Sequence, residues 1–355
     1  MSLVSPIRCA CRRGAASISL PAPQSARRLT TLPPLRSFAS TSTPPLPPPK
    51  PSSKTRYALA FLGLSLTLPA SFYFFTSSSN SALSPQIYTD QKITATKSLT
   101  PQHKLIAVAV PPSSKQYFEK PYKVDGTLSD SYVGGTGVGE VVVQHMMIKS
   151  PDIQIERPYT PINDAVKDGE VRMVVKRVKG GEVGRVVHNA QPGGEVGIRG
   201  PIPTFSIVPG DYDKIIMIST GTAVAPFLQL LCKLPSSSSS SSSPQPALHL
   251  IQASPLPDRI DWSNTDTDPA FIPSLQAKFG SRLVVSRIEP GLVGKDVVKN
   301  ALGGEKGEKV MVLVCLPPWL MRPLCGSMTP NLGQGPITGV LAELGLTNQQ
   351  VWKLE

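Results

Sequence analysis

Arg157-Pro158-Tyr159-Thr160-Pro161-Ile162 decides how the rest of the chain is read. The hexapeptide follows an apolar run from Val141 to Ile148 and a period-2 segment, Ile153-Gln154-Ile155, both of which predict strand. In an extended backbone Arg157 and Tyr159 project to one face, so a bidentate cation stands beside an aromatic hydroxyl. A ligand that is anionic at one end and a flat ring at the other suits the pair. Pro158 and Pro161 lack backbone donors, which predicts the edge or end of a sheet rather than its centre. The competing reading is an ordinary arginine and tyrosine on an edge strand.

Charge separates the first quarter of the chain from the rest. Of 36 basic residues, nine precede the first acidic residue, Asp90, and the others nearly balance the 24 acids, within a net charge of +12. A targeting segment explains that asymmetry without a nucleic-acid partner. Residues 1–40 are rich in Arg and Ser and free of acids, the composition of a mitochondrial transit peptide, and Arg36-Ser37-Phe38-Ala39 resembles a processing site. A stiff Pro-rich stretch, Pro44 to Pro51, closes this 1–56 segment. Tyr57 to Phe75 is uncharged and just long enough to cross a hydrocarbon core of about 30 Å as a helix. Lys50, Lys54 and Arg56 flank its amino end, which predicts that this end stays in the matrix and the remainder faces the intermembrane space. Residues 76–94 are expected to be a linker.

From about residue 95 to 206 the pattern is short strands separated by turn residues. Candidates are Lys104 to Val110, Glu140 to Ile148, Ile153 to Tyr159, Val171 to Val178 and Glu195 to Arg199, with one helix, Val183 to Asn189. That suits a small antiparallel barrel with an open mouth for a ligand. Gly134 to Gly139 precedes a strand rather than following one, so it reads as a hairpin insertion and not a phosphate loop. Residues 207–355 change to alternating strand and helix, the signature of a doubly wound parallel sheet. Its strands are Lys214 to Ser219, Leu248 to Gln252, Leu283 to Arg287, Val310 to Cys315 and Gln350 to Leu354. Val224 to Lys233 is a helix with Pro226 in its first turn, and the serines at 236–243 form a surface loop.

Arg157-Pro158-Tyr159-Thr160-Pro161-Ile162 resembles the flavin-binding signature of the ferredoxin-reductase superfamily, which includes the cytochrome-b5 reductases. The resemblance implies that Arg157 pairs with the diphosphate of FAD while Tyr159 and Thr160 line the isoalloxazine and ribityl. Val174-Val175-Lys176 resembles the family strand with ribityl and phosphate contacts, through Val174 and Lys176. Gly181-Glu182-Val183-Gly184 resembles the helix start whose amides meet the diphosphate. The family carries Ser or Thr where this chain has Gly184. Gly200-Pro201 is similar to the Gly-Pro that closes the barrel.

In the second half Thr220-Gly221-Thr222-Ala223-Val224-Ala225-Pro226 resembles the family's turn between strand and helix, with Thr222 reaching the flavin across the boundary. Cys315-Leu316-Pro317-Pro318 resembles the Cys-Gly-Pro-Pro beside the nicotinamide, through Cys315 and Pro317. Thr220, Ala223 and Leu316 stand where the family has glycine. Extra side-chain atoms against a cofactor cost about 1–3 kcal/mol per site, which predicts weakened or altered nicotinamide binding. Gly333 to Leu341, Leu344-Gly345 and Gln350 to Leu354 are similar to the fungal mitochondrial cytochrome c import factors, membrane-anchored FAD proteins that assist haem attachment.

The resemblance implies an inner-membrane flavoprotein in which NADH or NADPH reduces FAD, and FAD passes electrons to haem or a haem protein. Cytochrome c and its haem lyase are the implied partners. No side chain need act as acid, base or nucleophile, because the cofactors carry the chemistry. Asp258-Arg259 follow the second sheet strand and leave NADH against NADPH open. The alternatives are a cytochrome-b5-type reductase and a non-catalytic FAD-binding assembly factor, the latter favoured by Ala223 and Leu316. Cys232, Cys315 and Cys325 lack paired spacing, and His103, His145, His188 and His249 lack ligand spacing, so no metal site is expected.

Overall fold

The computed structural model describes residues 82–119, 139–150, 154–236, 245–254, 261–288, 293–303 and 307–354, all within one compact unit. The transit and anchor readings, most of the Gly134–Gly139 hairpin, Ile153, Asp258-Arg259 and all but the first of the serines lie outside the described residues. No helix among the described residues is long and apolar enough to cross a membrane.

The first half is a six-stranded antiparallel sheet in the order β4-β3-β6-β1-β2-β5. Its strands are β1 (Thr89–Thr100), β2 (His103–Ala109), β3 (Val141–Lys149), β4 (Glu156–Tyr159), β5 (Glu170–Lys176) and β6 (Glu195–Ile207). A bridge from Pro161 to Met173 and a bond from Ile162 N to Arg172 O at 2.8 Å join the two outer strands, closing a barrel as expected. Inward residues alternate along the strands, so Ile106, Val108, Ile148, Val171, Met173, Val175 and Ile198 form one buried interior. Each such aliphatic side chain contributes about 1.5–3 kcal/mol by burial.

Two expectations are corrected here. Residues 76–94 are not simply a linker: Leu83 is fully buried in the barrel interior and β1 begins at Thr89. The last predicted strand does not stop at Arg199 but runs through Gly200-Pro201 to Ile207. The register against β3 shifts between His145 and Met147, opposite that dipeptide. A bulge there accommodates a proline that lacks a ladder donor. Short helices α1 (Lys115–Glu119) and α2 (Ala165–Asp168) join the expected one, α3 (Glu182–Asn189).

The second half is a five-stranded parallel sheet, β11-β10-β7-β8-β9. It comprises β7 (Lys214–Ser219), β8 (Ala247–Ala253), β9 (Leu283–Ile288), β10 (Val310–Cys315) and β11 (Val351–Leu354). Alternate residues of each strand feed two cores. Ile215, Met217, Leu250 and Leu313 face α4 (Ala225–Lys233) and α5 (Ile272–Phe279). Ile216, Ile218, Val312 and Val314 face α6 (Lys295–Leu302), α7 (Pro318–Cys325) and α8 (Gly339–Glu343). The first core also takes in Leu105, Val143, Val174 and Phe205, so barrel and sheet share it.

Candidate functional site

The parallel sheet reverses direction between β7 and β10. The chain steps outward from β7 to β8 and β9, then returns to lay β10 and β11 on the other side. In open α/β sheets ligands bind outside the carboxyl ends of the strands at such a point. Ser219 and Cys315, the last residues of β7 and β10, are register partners across it. From Ser219 the chain enters a tight turn, Gly221–Val224, with Gly221 at φ +54°. This turn packs against β5 of the barrel as well as β7 and β8. The predicted residues Gly221, Thr222, Cys315 and Pro317 therefore gather at one edge, beside the strand that carries Val174 and Lys176.

Val174 is 5% exposed and belongs to the shared core. Lys176 is half-buried. Its carbonyl lies against the start of α3: a Cβ built on Gly184 would stand 3.0 Å from Lys176 O. That close approach explains the glycine where the family has Ser or Thr. Gly181 is the N-cap with no side-chain cap bond, and Val183 points into the barrel interior. Glu182 is drawn off by Arg185, whose Nε donates to Glu182 Oε2 at 2.9 Å. That bond holds the Glu182 carboxyl below its usual range.

Arg157 and Tyr159 stand in register opposite Ile148 and Met146, both buried in the barrel. Directly opposed residues of an antiparallel pair share a face. The Tyr159 ring accordingly packs against the barrel interior, and burial lifts its phenol above the usual range, with the Arg157 charge pulling the other way. Arg157 is exposed and donates from Nη1 to Glu156 O at 2.8 Å. The pair does share a face, as expected, with the Tyr159 ring half-buried and the Arg157 side chain exposed. Of the two, the guanidinium is the group open to an anion. Pro158 is exposed and Thr160 half-buried at the end of β4.

The three glycine replacements differ in burial: Leu316 is buried, and Thr220 and Ala223 are half-buried. Leu316 is 4% exposed and packs into the core beneath α7 and α8. Ala223 packs against the core shared with the barrel. Leu316 is largely taken up by packing while also lining a cavity of about 260 Å³ with Pro318, Met321, Met328 and Leu332, and Ala223 stays half-buried at the turn.

Two residues absent from the sequence-based set lie at the same edge. Ser219 Oγ and Gln252 Oε1, on register partners of β7 and β8, are buried without a hydrogen-bond partner. Each is the polar end of an apolar strand run, a signal present in the sequence. Orphaned polar atoms at a switch point are what a site built around a polar ligand leaves behind. Burial pushes the Cys232 thiol up to about 12 and the Cys325 thiol up to about 11.

Known proteins agree with this geometry. Residues 136–207 match the family described as oxidoreductase FAD-binding domain. The fold matches the cytochrome b5 reductase domain of Ulva prolifera nitrate reductase, over 77% of this chain and 99% of that one, at 14% identity and TM-score 0.50. Residues 136–207 thus resemble an FAD-binding oxidoreductase domain, and the chain shares the fold of that reductase domain. The CS-b5R domains of human Ncb5or, in the NAD+ form, align over 76% of this chain and 69% of that one at 15% identity and TM-score 0.51. In sequence it is 27% identical to NADH-cytochrome b5 reductase 2 of Phaeosphaeria nodorum, over 58% of this chain and 62% of the relative. It is 28% identical to the protein of that name from Candida glabrata, over 63% and 75%. Against the Phaeosphaeria and Neurospora relatives it spans 62% and 65% of their length.

Proposed function

We propose that this chain is a mitochondrial flavoprotein reductase that takes electrons from NADH or NADPH and passes them through FAD to a haem protein. The observation that carries the reading is the turn Gly221–Val224 set against β5 at the switch point where Ser219 and Cys315 end paired strands. FAD, when bound, supplies hydride acceptance and one-electron release, chemistry that no side chain can supply. Arg157 would hold the diphosphate charge, aided by the amides at the start of α3. Thr222 would contact the flavin, and Cys315 and Pro317 would lie beside the nicotinamide. The shared core beneath them excludes water.

Its setting is part of the same proposal. The uncharged run at 57–75 serves as a single-pass anchor in the inner membrane, behind a transit peptide, with both folded halves in the intermembrane space. The relatives' name favours cytochrome b5 as the class of acceptor. The tail from Gly333 to Leu354 favours cytochrome c, with assistance to its haem attachment. A non-catalytic assembly factor is the second reading, and the inward packing of the Tyr159 ring favours it.

Purified full-length chain separates these readings by its visible spectrum before and after NADH. Bound flavin that bleaches is the expected result. Bound flavin that stays oxidised selects the assembly factor, and a chain that takes up no flavin rejects both.

A further inference from the structure

We propose that Arg172 is a positioning residue, an ionic latch that ties the barrel to the parallel-sheet half and sets the spacing between β5 and the nicotinamide crevice. The inference rests on the function proposed above only for its kinetic consequence. Arg172 lies two residues before Val174 and four before Lys176, so all three leave β5 on one face. Its Nη1 donates to Asp268 Oδ2 at 2.6 Å, across to the sheet half. Its Nη2 donates to Asp168 Oδ2 at 2.7 Å within the barrel half, and Glu170 stands 3.7 Å from Nε.

Both ends of the latch are fixed. The Asp268 side chain is 6% exposed and its Oδ1 accepts from Ala270 N at 2.8 Å. Arg172 N donates to the side chain of fully buried Asn163 at 2.9 Å. A second joint lies on α4. There Gln229 Nε2 donates to Gln144 O and Pro161 O, both at 3.0 Å, and Gln229 Oε1 accepts from Gln144 N at 2.7 Å.

Between the two joints is a cavity of about 440 Å³, lined by Arg172, Asp168 and Asp268 and by Cys232, Leu275 and Lys278. Packing is interrupted there, so polar contacts hold the halves at that point. The Arg172–Asp268 pair adds a directional polar tie on β5 beside the shared core that Val174 enters. Removing one partner of such a pair strands the other charge in a poorly hydrated place.

The test uses the full-length chain with Cys9 and Cys11 changed to serine and spin labels at Val178→Cys and Val284→Cys. Val178 is 57% exposed on the barrel half and Val284 is 50% exposed on the sheet half. Arg172→Gln and Asp268→Asn are each expected to broaden the distance distribution between the labels, with Arg172→Lys intermediate. In flavin-loaded protein the rate of flavin bleaching at saturating NADH falls on the order of tenfold to a hundredfold, as a misplacement near 1 Å would give. Flavin content and the half-saturating NADH concentration stay within about threefold. A wild-type label distribution in the folded Gln or Asn variant overturns the latch. Should one variant not fold, the other and Arg172→Lys carry the same comparison. If wild-type protein binds flavin that NADH never bleaches, the proposed function fails, while the label distances still decide the latch.

Discussion

At the start of α3 in the barrel half, Gly184 stands where the family has a hydroxyl, and the helix lies so close to Lys176 O that a Cβ there would be 3.0 Å away. At the carboxyl edge of the sheet half, Ala223 and Leu316 stand where the family has glycine, and both added side chains turn into the core. One half has lost atoms where a helix approaches a strand. The other has gained atoms that pack against the core. Direction of the Cα–Cβ bond, as well as residue size, thus bears on what each departure does.

The largest effect should come from breaking the sheet half at Gly339, which has φ +66° and whose Cβ would run into the Pro323 carbonyl. Gly339→Ala is expected to cost about 4 kcal/mol or more, from left-handed strain plus overpacking, read as a lowered denaturation midpoint. Leu316→Gly should cost about 3 kcal/mol of stability by emptying a buried position. A stability change under about 1 kcal/mol would place that side chain outside the core.

On the barrel side, Arg157→Ala should weaken FAD retention about tenfold to a hundredfold, the worth of a charge-assisted bond of about 1.5–3 kcal/mol. Equilibrium dialysis against free FAD measures it. The smallest effect concerns His145. Burial and the nearby Arg199 lower its pKa from 6.5 to about 4, and its Nδ1 is 2.9 Å from Thr204 Oγ1. The unfolded chain therefore binds a proton between those values that the fold does not, and stability falls as pH drops from about 6.5 to 4. His145→Gln should remove about 1–2 kcal/mol of that acid sensitivity in urea unfolding curves. An unchanged slope would contradict the assigned burial.

Much of this was legible because the sheet strands are unbroken apolar runs: β10 spans Val310–Cys315, the predicted bounds. β1 was not legible, since only Gln91 and Ile93 of its twelve residues are buried and polar side chains fill most of the rest. β6 was cut short by Gly200-Pro201, because the bulge in β6 that sets this dipeptide opposite Met146 leaves no mark of its own in the sequence. Spacing told that Arg157 and Tyr159 share a face. Which face required the register with Met146 and Ile148, a pairing between separate strands. The Arg172–Asp268 contact joins residues 96 apart and had no local signal at all.

The most direct measurement is an anaerobic NADH titration of flavin-loaded full-length chain beside its Leu316→Gly variant, followed by flavin absorbance. Both should bleach, with half-saturation in the ordinary range of about 1 μM–1 mM and within about threefold of each other. Flavin that stays oxidised in the wild type, or at least tenfold tighter NADH binding in the variant, would mean that Leu316 blocks the crevice after all.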